Sequence, residues 1–175
     1  MHLVEIKETF LDYPDNESWA IIVFFTGCAW KCKNCQNKEL QDINSGEDIN
    51  VEVLSDQIKQ FAKRSGTNKV VLSGGDPFYQ YGELTDLLNH LNDLDICIYT
   101  GYSIEEAFNL LISFNCHNMP LYIKCGVYDE NERDSDMGKS EKKFVLASKN
   151  QAFYKWNGAG YCKISDNNIL RFENG

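Results

Sequence analysis

The stretch Ala20-Ile-Ile-Val-Phe-Phe-Thr-Gly-Cys28-Ala-Trp-Lys-Cys32-Lys-Asn-Cys35 joins an apolar run to three cysteines spaced C-x3-C-x2-C. The run reads as a strand that delivers the chain to Gly27, and the thiols follow within eight residues. Three thiolates so close can hold three corners of a cubane iron–sulfur cluster and leave the fourth iron without a protein ligand. An open iron can bind and reduce a small molecule, whereas a structural metal site is normally closed by a fourth ligand. Zinc is the competing occupant. Its second pair of ligands would have to come from the scattered Cys97, Cys116, Cys125 and Cys162 or from His90 and His117.

Beyond the cysteines, strand-like and helix-like segments alternate. Leu54, Ile58, Phe61 and Ala62 recur at helical spacing and predict a helix over about 51–64. Lys69-Val-Val-Leu-Ser73 reads as a strand that runs into Gly74-Gly75, and Leu84, Leu87, Leu88 and Leu91 form a second helical stripe. Asp95-Ile-Cys-Ile-Tyr99 is the next strand, and Ser103-Ile-Glu-Glu106 has the form of a capping box opening a helix that continues through Ala107, Phe108 and Leu111. Pro120-Leu-Tyr-Ile123 supplies a further strand. Continuous apolar strands suit burial on both faces, as in a parallel sheet covered by helices, and strand–helix–strand order predicts right-handed crossovers. The cysteines, the Gly74 pair and Thr100-Gly101 each follow a strand directly, so the motifs converge on the sheet edge where ligands bind in such folds.

Residues 128–143 are charged and carry no apolar period, which predicts a solvated surface loop. Tyr161-Cys-Lys-Ile-Ser165 and Ile169-Leu-Arg-Phe172 flank Asp166-Asn-Asn168 and predict a terminal hairpin. Gly138-Lys-Ser140 imitates the end of a phosphate loop, but Arg133 stands where that loop needs its upstream glycine.

At 175 residues the chain suits one domain with a buried core. Its net charge of −9 argues against a nucleic-acid-coating surface. The first ten residues contain Glu5, Lys7 and Glu8 and so lack a signal-peptide core, and Ala20 to Phe25 is too short to span a bilayer. A cytoplasmic location with reduced thiols is the expectation. Seven cysteines, an odd number with three in ligand-like spacing, point the same way.

In Ser73-Gly-Gly-Asp-Pro77 the paired glycines allow the backbone to approach a ligand closely, Pro77 stiffens the exit and Asp76 can fold back on nearby amides. Together with the cysteines, this motif resembles the radical S-adenosylmethionine (SAM) superfamily. Phe25-Thr-Gly-Cys28, Cys35-Gln-Asn37, Leu72-Ser-Gly-Gly-Asp-Pro77, Tyr99-Thr-Gly-Tyr102 and Ala147-Ser-Lys-Asn-Gln151 are similar to segments of the anaerobic ribonucleoside-triphosphate reductase activating proteins. The resemblance covers roughly residues 18–152.

That resemblance implies a [4Fe–4S] cluster on Cys28, Cys32 and Cys35, with the open iron chelating SAM. It implies that SAM lies against Gly74, Gly75, Asp76 and Pro77 at its methionine end, that Asn34 and Gln36 lie near the adenine, and that Thr100 borders the pocket. No catalytic residue beyond these cofactor ligands is expected. Reductive cleavage would yield a 5′-deoxyadenosyl radical that takes hydrogen from a glycine of the anaerobic ribonucleotide reductase large subunit. A low-potential donor such as flavodoxin would supply the electron, and neither nucleic acid nor membrane is expected as a partner. The sequence departs from the family at Tyr13-Pro-Asp-Asn-Glu-Ser18, where a Gly-Pro-Gly-like segment is usual, at Cys125 for Asp, and at Ala152 for Arg.

The expected fold is α/β, an open partial (β/α) barrel of mostly parallel strands over residues 1–156, with residues 157–175 as a small C-terminal β extension of the same domain. A closed eight-stranded barrel takes about 250 residues. An open side suits a macromolecular substrate, because a small free one would leave the radical exposed to water. Two alternatives remain: a radical SAM enzyme acting on another glycyl-radical protein or a small nucleoside-type molecule, and a non-catalytic metal-binding module.

Overall fold

The computed structural model describes residues 1–15, 19–133 and 146–164. Among these residues eight strands form one sheet in the order β3-β1-β2-β4-β5-β6-β7-β8, namely β1 (His2–Thr9), β2 (Ala20–Phe25), β3 (Glu47–Asp48), β4 (Lys69–Gly74), β5 (Asp95–Tyr99), β6 (Tyr122–Cys125), β7 (Ala152–Trp156) and β8 (Tyr161–Ile164). Three helices, α1 (Val51–Ser65), α2 (Tyr81–His90) and α3 (Ile104–Ser113), precede β4, β5 and β6 respectively.

The centre of the sheet is parallel, with Val23 opposite Leu72, Val71 opposite Cys97 and Ile98 opposite Ile123. Outside β2, β4, β5 and β6 the pairings are antiparallel: β1 with β2 and β3, β6 with β7, and β7 with β8. The sheet is therefore mixed and open, not mostly parallel. β1 and β8 each join a neighbour through a short return, and a short return admits only an antiparallel partner.

Alternate residues of the parallel strands serve different cores. Ile21, Val23, Phe25, Val70, Leu72, Ile96 and Ile98 pack with Leu54 and Ile58 of α1, Leu84, Leu87 and Leu88 of α2, and Ala107 and Leu111 of α3. Among the described residues the opposite face, with Ala20, Ile22, Val71 and Cys97, meets no helix and is covered by Tyr13, Leu146 and Phe153. The described helices thus cover one face only, whereas the continuous apolar runs suited strands buried on both faces of a helix-covered sheet. The segment before β2 supplies the rest of the cover: Asp12 accepts the Tyr99 hydroxyl through its main-chain carbonyl, and Asp15 pairs with Lys69.

Local chemistry agrees with these boundaries. The Asn50 side chain accepts the amides of Glu52 and Val53 to open α1, and Gly66 ends it with φ of +68°. The Ser103–Glu106 capping box forms as read. β6 starts at Tyr122, two residues after the expected Pro120, and β1, β3 and β7 were not anticipated. A bulge between Leu3 and Glu5 breaks the alternation that would have revealed β1. Tyr161–Ile164 pairs with Ala152–Trp156, and the proposed partner at 169–172 lies outside the described residues, as does Gly138-Lys-Ser140. Among the described residues no helix is long and apolar enough to cross a membrane.

Candidate metal and cofactor site

The cysteine loop leaves β2 and returns to its own start. The Gly27 amide donates to the Leu40 carbonyl at 2.9 Å and the Cys28 amide to the Gln41 carbonyl at 3.1 Å, closing a neck around the thiols. Next to the neck lies the end of β4, where the amide of Gly75 donates to Phe25 O and that of Asp76 to Gly27 O, both at 2.9 Å. The Asn37 side chain completes the frame by donating to the Gly74 carbonyl at 2.8 Å.

These bonds give the glycine pair a packing role within the protein itself. A Cβ on Gly74, whose φ is +108°, would lie 2.3 Å from Phe25 O, and one on Gly75 would lie 2.3 Å from Gly27 O and 2.8 Å from Leu40 O. The space a side chain would take is filled by the backbone of β2 and of the cysteine loop. The glycines let two loop backbones meet, and through them the cysteine loop is set against β4.

Asp76 is the hub of the rim. It is 2% exposed. Its Oδ2 accepts from Trp30 Nε1 at 2.8 Å, Gly101 N at 2.9 Å and Thr100 Oγ1 at 3.0 Å, and its Oδ1 accepts from Phe78 N at 3.0 Å. One carboxylate thus joins the loops that follow β2, β4 and β5. Burial raises its pKa above the usual carboxylate range, while the four donors pull it back. Pro77 is buried and opens the 3-10 turn Pro77–Gln80 that Asp76 caps. Thr100 is also buried, and its hydroxyl is committed to Asp76.

Cys28, Cys32 and Cys35 are all free and partly buried. Burial pushes the Cys28 thiol up to about 11, with Asp76 and the other two thiols adding to the rise and the Trp30 amide opposing it. Cys32 is raised by burial and opposed by the Tyr128 backbone N–H. Ligand binding to a metal must therefore displace protons from at least two of these sulfurs. Among the described residues no three His, Cys, Asp or Glu side chains converge as a single metal ion requires. A cubane offers each thiolate its own iron, so its ligands stand further apart than those of a mononuclear ion, and the donor set fits the cluster.

Asn34 and Gln36 are exposed on this loop. Asn34 has φ of 54° and its side chain donates to Glu130, while Lys33 Nζ lies 2.9 Å from the other Glu130 oxygen. The described part of the expected solvated loop thus touches the cysteine loop; residues 134–145 lie outside the description. Sequence reading missed Glu130, for which no spacing gave a signal. It also missed Trp30 and Asn37 as structural partners, although both sit within the quoted motif. Gln151 in turn steadies the loop after β6, accepting the amides of Ala147 and Ser148 and donating to Gly126 O at 2.9 Å.

Comparison with known proteins agrees with this geometry. An anaerobic ribonucleoside-triphosphate reductase-activating protein of Enterobacteria phage T4 is 26% identical over 105 residues, covering 57% of this chain and 67% of the relative. One from Escherichia coli strain K12 is 30% identical over 95 residues, covering 48% of this chain and 59% of the relative. A 7-carboxy-7-deazaguanine synthase of Clostridium acetobutylicum is 24% identical over 127 residues, covering 72% of this chain and 55% of the relative. The chain thus matches between about half and two thirds of the length of these curated relatives. Residues 17–154, which include the three cysteines, the glycine pair and the Asp76 hub, match the model of the 4Fe-4S single cluster domain, and this protein belongs to that family.

Proposed function

We propose that this protein is an oxidoreductase of the radical SAM type that generates a glycyl radical on an anaerobic ribonucleotide reductase. The observation that carries the reading is the cysteine loop, knitted at its neck to the Gly74–Asp76 segment on the edge of an open sheet. The names of the phage and E. coli relatives suggest the partner. On this reading the mixed sheet is a partial radical SAM barrel and a low-potential donor such as flavodoxin supplies electrons; neither nucleic acid nor membrane takes part.

Cys28, Cys32 and Cys35 hold the [4Fe–4S] cluster, which together with SAM supplies one-electron cleavage of a carbon–sulfur bond and abstraction of a hydrogen atom from the partner's glycine. The protein's own contribution is placement. Asp76 keeps three loops in register around the thiols, and Trp30 ties the cysteine loop to that carboxylate. Gly74, Gly75 and Pro77 form the wall on the methionine side, Thr100 fixes Asp76 from the far side, and Asn34 and Gln36 flank the last cysteine on the exposed side toward the adenine.

The test is a reconstitution under anaerobic conditions. Reduced protein with SAM is expected to release 5′-deoxyadenosine, and with the reductase from the same source to give a glycyl-radical signal by electron paramagnetic resonance. Lack of SAM cleavage by protein carrying an intact cluster would leave only a metal-binding module. The deazaguanine synthase relative favours one second reading, direct action on a small nucleoside-type molecule. SAM consumption that depends on such a molecule and needs no partner protein would select it.

A further inference from the structure

We infer that Glu130 is a positioning residue for the cysteine loop, a clasp from the loop after β6 that fixes the turn between Cys32 and Cys35. This rests on reading that loop as the cluster site. The two residues between those cysteines are Lys33 and Asn34, and both bind the same carboxylate, Asn34 Nδ2 at Oε1 and Lys33 Nζ at Oε2. Asn34 is in the left-handed region, with φ of 54°, a conformation unfavourable for a residue with a side chain and one that gains from an external hold. Both contacts of this one carboxylate therefore fall on the turn between Cys32 and Cys35, and neither on Cys28.

The clasp is itself anchored from elsewhere. The Asp129 amide donates to Ser148 Oγ at 3.2 Å, the Lys149 amide to Glu132 O at 2.8 Å, and Asn150 Nδ2 to Val127 O at 2.8 Å. Asp129 caps the 3-10 turn Glu130–Glu132, which carries the clasp residue, by accepting from Asn131 N. Residues 148–151 thus act on the cysteine loop through residues 126–133. Between the two loops lies a cleft of about 290 Å³ lined by Lys33, Tyr128, Glu130 and Asn150 among others. The clasp spans open space, so its strength lies in a few polar contacts in water, and it is modest and sensitive to salt.

The experiment compares wild type, Glu130→Ala, and the exchanged pair Lys33→Glu with Glu130→Lys. In metal-free protein, iodoacetamide should modify Cys32 and Cys35 about two- to fivefold faster in Glu130→Ala, with Cys28 unchanged, and high salt should reproduce the effect in wild type only. In reconstituted protein, a chelator should strip iron faster by a similar factor and the resonance line shape of the reduced cluster should alter. The exchanged pair should recover part of the difference, through the ion pair alone, because a lysine at position 130 cannot accept from Asn34 Nδ2. Equal modification rates in wild type and Glu130→Ala, or a rise at Cys28 equal to that at Cys32, would overturn the proposal. A wild type that assembles no cluster at all would sink the cluster reading instead, while the alkylation pattern still decides whether the clasp exists.

Discussion

The indole of Trp30 donates to the carboxylate of Asp76 across 2.8 Å, although the two residues stand 46 apart in the chain. Trp30 sits between the first two cysteines, and Asp76 lies in the turn just past the end of β4. The bond means that the cysteine loop cannot shift against β4 without uncovering a buried charge. Such a charge is costly to leave with fewer donors than it had when the site formed.

Asp76→Asn keeps the shape of the side chain and removes its capacity to accept at both ends. We expect it to lower the stability of the metal-free protein by roughly 2–4 kcal/mol in urea denaturation and to weaken SAM binding. Trp30→Phe removes one donor and should cost about 1–2 kcal/mol. An Asp76→Asn protein as stable as wild type would remove the carboxylate from its role as hub.

Gly75→Ala should reduce iron content and stability together, because its Cβ would meet main-chain oxygens of Gly27 and Leu40 that cannot swing aside. Gly82→Ala is the control. It lies in α2 with nothing within 4 Å of the added carbon and should be neutral or stabilise by up to about 1 kcal/mol. Iron assay and thermal denaturation on both variants separate a packing role from a loss of SAM contact alone; full iron binding by Gly75→Ala would contradict the packing role.

Lys124 is 7% exposed, on the face without helices, with its ammonium 4.5 Å from the centre of the Tyr99 ring. Burial lowers its pKa from 10.5 to about 8, against the opposing pull of Cys97 and Asp12. Below pH 8 the folded protein carries a charge it disfavours, at a cost of roughly 3 kcal/mol. Between about 8 and 10.5 the unfolded chain holds more protons on this group, so its contribution to stability improves as pH rises. Lys124→Met should therefore be more stable than wild type at pH 7, by a margin that narrows from pH 8 upward. A margin independent of pH would show that the lysine is not the titrating cause.

Cys28→Ala, Cys32→Ala and Cys35→Ala should each abolish the absorption of an iron–sulfur cluster after anaerobic reconstitution, whereas Cys116→Ala and Cys162→Ala should retain about four irons per chain. Cys116 is held apart from the site, its sulfur donating to Asn118 O at 3.2 Å. Zinc in place of iron, with no cluster obtainable, would bring down the mechanistic reading.

The parallel strands, their helices and the Ser103 cap were legible because each is set by residues close together in the chain, through apolar period and a hydroxyl–carboxylate pair. Of the flanking strands β8 was legible, but β1, β3 and β7 were not. β7 was hidden because its fit depends on β6, which lies on the far side of a long charged connection. The roles of Gly74 and Gly75 were half legible: the need for close approach could be read, but whether ligand or backbone made it could not. Glu130 could not be found at all, since only the fold brings it to Asn34. The departures at Cys125 and Ala152 gain meaning from pairing, because these two residues stand directly opposite each other on β6 and β7. On the resemblance, which puts an acid and an arginine at these two positions, replacing both together leaves neither charge stranded.

The sheet ends on one side at β3, two acidic residues long. A strand so short and so charged is a poor template for pairing with another chain. On the other side, β7 and β8 stand between β6 and any incoming strand. The four strands that carry the site therefore have no unpaired border of their own. Among the described residues, a strand added beyond β8 would reach β6 only by first dismantling two antiparallel pairings.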